Sequence, residues 1–155
     1  VKGGKRLFLF GTGTGLAPWL SVARDPDAYS RFEKVYVCHG VRQVNELAYR
    51  DLFTTEIHDD PLVGEEARAQ LTYYGTVTRE PFEHQGRFPD LINSGQFFRD
   101  LGIPEDRFNP EEDRVMLCGS MDFIKDMAAV MESQGMTEGS NAEPGDFVLE
   151  RAFVG

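Results

Sequence analysis

Two short segments hold the residues whose types and spacing can do chemistry. The first is Gly11-Thr12-Gly13-Thr14-Gly15-Leu16-Ala17-Pro18, directly after the apolar run Leu7 to Phe10. The second is Cys118-Gly119-Ser120, directly after Val115-Met116-Leu117. Glycines at 11, 13 and 15 permit positive φ and let a ligand approach the backbone with no Cβ in the way. A helix starting after them offers unpaired N–H groups and a positive dipole end, which suits a diphosphate. The spacing is G-x-G-x-G, which departs from the G-x-G-x-x-G dinucleotide fingerprint, and no Gly-Lys-Ser/Thr ending marks a P-loop. Taken alone, the segment also fits a tight strand-to-helix connection that binds nothing.

Both segments have the form strand, glycine turn, helix. In a parallel sheet that form brings both turns to the same carboxyl edge, where nucleotides bind in open α/β folds. Candidate strands are Arg6 to Phe10, Lys34 to Cys38, Leu71 to Val77, Arg114 to Cys118 and Phe147 to Phe153. Their alternation with helical patterns predicts an α/β fold with a five-stranded, mostly parallel sheet flanked by helices, one domain over residues 1–155.

The first helix should run from Pro18 to Arg24 and stop before Asp25-Pro26, because a residue preceding proline is pushed out of the α region. Asn45 can cap a second helix whose Leu52, Phe53 and Ile57 face the sheet. Phe123, Ile124, Met127, Val130 and Met131 recur at three- and four-residue spacing. They predict a core-facing helix after Ser120 that ends near Gln134-Gly135. Between the third and fourth strands, Thr78 to Asp113 is punctuated by prolines and glycines and reads as an ordered loop with short helices, one of them around Asp90 to Ser94.

The chain has 155 residues, 41% of them hydrophobic, and a formal charge of -10 from 16 Lys and Arg against 26 Asp and Glu. Such a balance argues against broad binding to nucleic acid or to an anionic membrane surface, so an anionic ligand must be held by local basic groups. No stretch approaches the roughly 20 apolar residues of a membrane-spanning helix, and the start lacks the apolar core of a signal peptide. A cytoplasmic protein is expected. The two cysteines, Cys38 and Cys118, both fall at strand ends and could lie near one another, yet they do not form a disulfide framework. The three histidines, His39, His58 and His84, show no metal spacing, so no metal site is expected and each histidine is placed at a strand end or on the surface.

The two glycine turns, in this order and about a hundred residues apart, resemble the NADP-binding half of the ferredoxin-NADP reductase family in its bacterial branch. The resemblance covers essentially the whole chain and implies a Rossmann-like fold. It implies that Gly11 to Pro18 receive the pyrophosphate of NADP(H). It also implies that Cys118, Gly119 and Ser120 lie beside the nicotinamide where hydride passes to or from FAD. Cys118 is the expected catalytic position, acting by placing the ring; inert packing is the alternative. The terminal Ala152-Phe153-Val154 is similar to the family's C-terminal strand, which leads into a tail against the flavin; edge-strand packing explains it equally well. Glu150 stays outside the catalytic set.

A 2′-phosphate calls for guanidinium groups, whereas NAD usually meets an acidic residue after the second strand. That strand here ends His39-Gly40-Val41-Arg42, with no carboxylate. After the third strand come Thr78 and Arg79, then Arg87 preceded by Gly86. This resembles the family's pattern for gripping the 2′-phosphate, which selects Thr78, Arg79 and Arg87, with Arg42 adding charge.

The family also has an upstream β-barrel that binds FAD, and its flavin signature is not found in this sequence. The chain opens without Met, directly into a strand, and is expected to be a fragment whose isolated form is inactive. The implied whole is a flavoprotein passing electrons between NADPH and ferredoxin or flavodoxin. Alternatives are the nucleotide domain of a cytochrome or oxygenase reductase, or a non-catalytic nucleotide-binding module.

Overall fold

Aromatic and β-branched residues fill the short apolar runs, and they form five strands: β1 Arg6–Thr12, β2 Lys34–Val41, β3 Leu71–Val77, β4 Asp113–Cys118 and β5 Phe147–Leu149. The computed structural model describes residues 4–13, 16–47, 49–139, 145 and 147–149. The strand order is β3-β2-β1-β4-β5 and every pairing is parallel. The chain therefore reverses its direction of travel across the sheet between β1 and β4, and a crevice opens at such a switch point beyond the carboxyl ends of the strands. Both predicted turns lie there, since Gly11 of β1 pairs with Cys118 of β4.

The helices divide between the two faces. On one side α1 Ala17–Ala23, α2 Pro26–Arg31, α3 Arg50–Thr54 and α4 Gly64–Gln70 close over Leu7, Leu9, Val35 and Val37, with Trp19, Phe53 and Ala67 buried among them. On the other, α5 Phe88–Asn93, α6 Gln96–Asp100 and α7 Met121–Ser133 cover Phe8, Phe10, Tyr36 and Val115. That second layer is largely aromatic: Phe8 meets Phe108 edge-on at 5.1 Å, and Phe10 meets Phe88 at 5.0 Å. Such pairs add about 0.5–1.5 kcal/mol each beyond simple burial, so Phe88, at the start of α5, is firmly seated next to the switch point.

Several sequence expectations change. Asn45 caps no helix, because it lies inside the 3₁₀ turn Val44–Glu46. There the Glu46 carboxylate accepts from the Gln43 N–H at 2.9 Å and the Glu80 carboxylate accepts from the Val44 N–H, so the local donors are already taken. The helix that carries Phe53 begins only at Arg50, and Ile57 follows in a second 3₁₀ turn; both are buried, and Leu52 is half-buried. The Asp25-Pro26 pair ends α1 and also starts α2, with the Asp25 side chain accepting from the Asp27 N–H at 3.0 Å. The helix expected around Asp90 starts at Phe88, α6 is a second of the short helices expected in that stretch, and α4 was not anticipated. Cys38 and Cys118 do not face one another: they belong to the cores on opposite faces of the sheet. The strand expected over 147–153 is described as far as Leu149, and Ala152, Phe153 and Val154 lie outside the described residues, as do Thr14 and Gly15.

Candidate nucleotide site

Parallel pairing in register brings the end of β1 beside the end of β2, with Thr12 opposite Gly40. The Gly13 N–H extends the pairing by donating to the Gly40 carbonyl at 3.1 Å, and Gly13 then turns with φ +59°. Across β1, the turn after β4 packs directly on Thr12. Gly119 has φ +150°, and a Cβ there would collide with the Thr12 hydroxyl and sit 3.0 Å from the Phe123 ring. Only glycine lets the two turns close on each other in this way. Ser120 then caps α7, its hydroxyl accepting from the Phe123 N–H at 3.2 Å, so the first turn of a 13-residue helix opens toward the same edge.

The loop after β3 completes the enclosure. Thr78 N–H donates to the Val41 carbonyl at 3.0 Å and Arg79 N–H to the Arg42 carbonyl at 2.9 Å, which lays the two strand exits side by side. The chain then doubles back, with Gly86 N–H donating to the Val77 carbonyl at 3.0 Å and the Thr76 hydroxyl donating to the Gly86 carbonyl at 2.8 Å. This return delivers Arg87 to the mouth of α5, next to Thr78.

These elements surround a cavity of about 460 Å³, within the range of small-molecule sites. Thr12, Gly13, Arg42, Thr78, Arg87 and Ser120, all selected from the sequence, line it. Arg79 is exposed just outside. Gly11 and Leu16 are buried, Leu16 packing in the core under α1, while Ala17 is exposed and Pro18 half-buried at the start of that helix; none of the four lines the cavity. Neither does Cys118, whose fully buried side chain belongs to the core with Leu9 and Trp19.

Sequence reasoning passed over Gly40, Thr76 and Phe88, which also line the cavity. A Cβ on Gly40 would sit 3.0 Å from the Phe88 ring, so the bare glycine allows the aromatic floor to approach the strand end. A glycine at the end of β2 was the available signal. Glu46 and Asp122 were likewise missed. The cavity arginines are braced by carboxylates, Arg42 with Glu46 at 3.8 Å and Arg87 with Asp126 at 2.9 Å. Both pairs are largely exposed and of small energetic weight, so either guanidinium can exchange its partner for a phosphate at little cost.

His39 was also passed over. Its fully buried ring lies between the Gly13 carbonyl, 2.6 Å from Nε2, and the Tyr73 hydroxyl, 3.1 Å from Nδ1. A carbonyl can only accept, so Nε2 carries a proton and, in the neutral ring, Nδ1 accepts from Tyr73. Burial lowers the His39 pKa from its ordinary value, although the bond to Gly13 works the other way. Among the described residues no group of three or more His, Cys, Asp or Glu could hold a metal ion, and no helix is long and apolar enough to cross a membrane.

Residues 9–129 match the oxidoreductase NAD-binding domain family. The chain belongs to that family. This NAD-binding domain is 49% identical over 152 residues to a flavodoxin/ferredoxin–NADP reductase of Rhodobacter capsulatus, covering 98% of the chain and 56% of the relative. It is 48% identical over 152 residues to a ferredoxin–NADP reductase of Pseudomonas aeruginosa, covering 97% and 58%. The chain thus spans little more than half the length of these curated relatives. Among solved structures it resembles a ferredoxin NADP+ reductase from Neisseria gonorrhoeae with bound FAD and NADP, at a TM-score of 0.79 and 26% identity, covering 96% of this chain and 56% of that one. The likeness to bacterial ferredoxin–NADP reductases read from the two glycine turns is borne out by these identities.

Proposed function

We propose that this NAD-binding domain binds NADP(H) for a cytoplasmic flavoprotein that exchanges electrons between NADPH and ferredoxin or flavodoxin. The observation that carries the reading is the cavity at the carboxyl edge. It collects a glycine turn, the first turn of α7, Thr78 and two arginines in a protein of net charge -10. A dinucleotide with a third phosphate meets those needs, since guanidinium groups offer paired donors to phosphate oxygens. The names and bound groups of the relatives point the same way.

In this assignment Gly11 to Pro18, including Thr14 and Gly15, form the diphosphate turn. Thr78, Arg79 and Arg87 hold the 2′-phosphate, with Arg42 adding charge at the rim. Gly119 and Ser120 flank the nicotinamide, the missing Cβ at Gly119 letting Thr12 pack against the turn that carries Ser120 to the cavity. Cys118, buried beneath, shapes the support for that ring. Ala152, Phe153 and Val154 are assigned to the flavin side. Acceptance of hydride and its release as single electrons are supplied by FAD, held chiefly by another domain. The residues of this chain bind and orient the nucleotide.

Calorimetric titration of the chain with NADP and with NAD at low salt, where phosphate contacts are least screened, tests the assignment. Tighter binding of NADP is expected. Equal affinity for both would remove the 2′-phosphate role of the arginines.

A further inference from the structure

His39 occupies a slot prepared by its neighbours. In the sheet register it is flanked by Gly11 of β1 and Gly75 of β3, so both adjacent strands present a glycine beside it. A Cβ on Gly75 would press on the Tyr73 ring at 3.1 Å and lie 3.3 Å from its hydroxyl. The bare position therefore makes room for the tyrosine that meets His39. Tyr73 is itself stacked on Phe53, with centroids 6.0 Å apart and planes 10° apart.

Alternation along β2 places Gly40 on the cavity face and His39 on the opposite one. His39 thus reaches the Gly13 carbonyl from behind the turn, while Gly40 fixes the same residue's N–H from beside it. Both backbone groups of Gly13 are committed.

We propose that His39 is a positioning residue for the dinucleotide diphosphate: by holding the Gly13 carbonyl on the far side of the sheet edge, it keeps a negative dipole end out of the anion's path. A carbonyl released from Nε2 would lose its donor and turn toward the solvent of the cavity, where it repels phosphate oxygen. The role rests on the dinucleotide reading above. It differs from the role of the arginines, because it concerns the diphosphate shared by NAD and NADP and is indifferent to the 2′-phosphate.

The test compares wild type, His39→Leu and His39→Gln by calorimetry with NADP, NAD and adenosine 2′-monophosphate, which has no diphosphate. Leucine should weaken NADP and NAD by a similar factor of about tenfold, the loss of one hydrogen bond of ~1.4 kcal/mol. Binding of the 2′-monophosphate should be unchanged. Glutamine, whose amide can donate where Nε2 does, should restore most of the affinity. In the free wild-type chain, nitrogen-15 spectra should show His39 protonated at Nε2. Wild-type dinucleotide affinity in the leucine variant, an equal loss for the 2′-monophosphate, or no rescue by glutamine would overturn the role. A wild-type chain that binds neither dinucleotide would instead remove the dinucleotide reading itself.

Discussion

The two edges of the sheet use the same residue types to opposite ends. At the amino edge, Arg6 clasps Asp113 through two bonds of 2.6 and 3.2 Å. Arg114 turns back onto the carbonyls of Pro110 and Asp113 at 2.7 and 2.6 Å. The Arg6 side chain is 13% exposed and the Asp113 side chain is fully buried. At the carboxyl edge, the Arg42 and Arg87 side chains are 65% and 57% exposed and each is paired with one partly exposed carboxylate, at 3.8 and 2.9 Å. An arginine whose donors are turned into the fold contributes to stability; one held at a rim over a cavity has donors left to offer. The difference shows which arginines are structural and which are available, something that residue type alone does not reveal.

Breaking the amino edge should have the largest effect and leave nucleotide selectivity alone. Burial pushes the Asp113 carboxyl pKa up while the Arg6 guanidinium holds it down. Asp113→Ala removes the hydrogen-bonded carboxylate from a mostly buried guanidinium, leaving it Glu105 at 3.6 Å and Glu112 at 4.0 Å, and takes the acceptor from the Asn109 N–H; it should cost about 3 kcal/mol in urea unfolding, with the NADP-to-NAD affinity ratio unchanged. At the other edge, Gly119→Ala forces a side chain into positive φ and onto Thr12; it should cost about 2 kcal/mol and abolish binding of both dinucleotides in the same titration. Arg87→Ala should leave the melting temperature within a degree or so while weakening NADP about tenfold and NAD hardly at all. Arg79→Ala should act in the same direction by a smaller factor, since that side chain stands outside the cavity.

The smallest effect is a pH slope that belongs to the carboxyl edge. Burial lowers His39 below its ordinary 6.5, so the unfolded chain takes up the proton at a higher pH than the folded one. Its contribution to stability is complete above 6.5 and is lost as the pH falls through the folded value. Between about pH 7.5 and 5.5 the melting temperature of wild type should fall more steeply than that of His39→Gln. Parallel slopes would show that folding leaves the His39 pKa where it is in the unfolded chain.

Much of the sheet was legible because strand ends coincide with glycines or with apolar-to-polar switches. Leu71–Val77 matches its expected bounds, and β4 begins one residue earlier than expected. The stripe after Ser120 was legible for the same reason: its five apolar residues sit at helical spacing, and all five are buried. The region around Asn45 was not, because its conformation is decided by the carboxylates of Glu46 and Glu80, the latter 36 residues away from the backbone N–H it receives. Thr12, Arg42, Thr78, Arg87 and Ser120 could be selected by residue type and proximity to strand ends. His39 could not, since its meaning comes from glycines on two neighbouring strands, a relation visible only once the register is known.

Amide chemical-shift mapping of the chain during titration with NADP tests most directly whether the open edge is the nucleotide site. Shifts centred on Thr12, Gly13, Arg42, Thr78, Arg87 and Ser120, with Arg6, Asp113 and Arg114 unmoved, are the predicted result. Shifts centred on the Arg6–Asp113 edge, or none at saturating nucleotide, would contradict it.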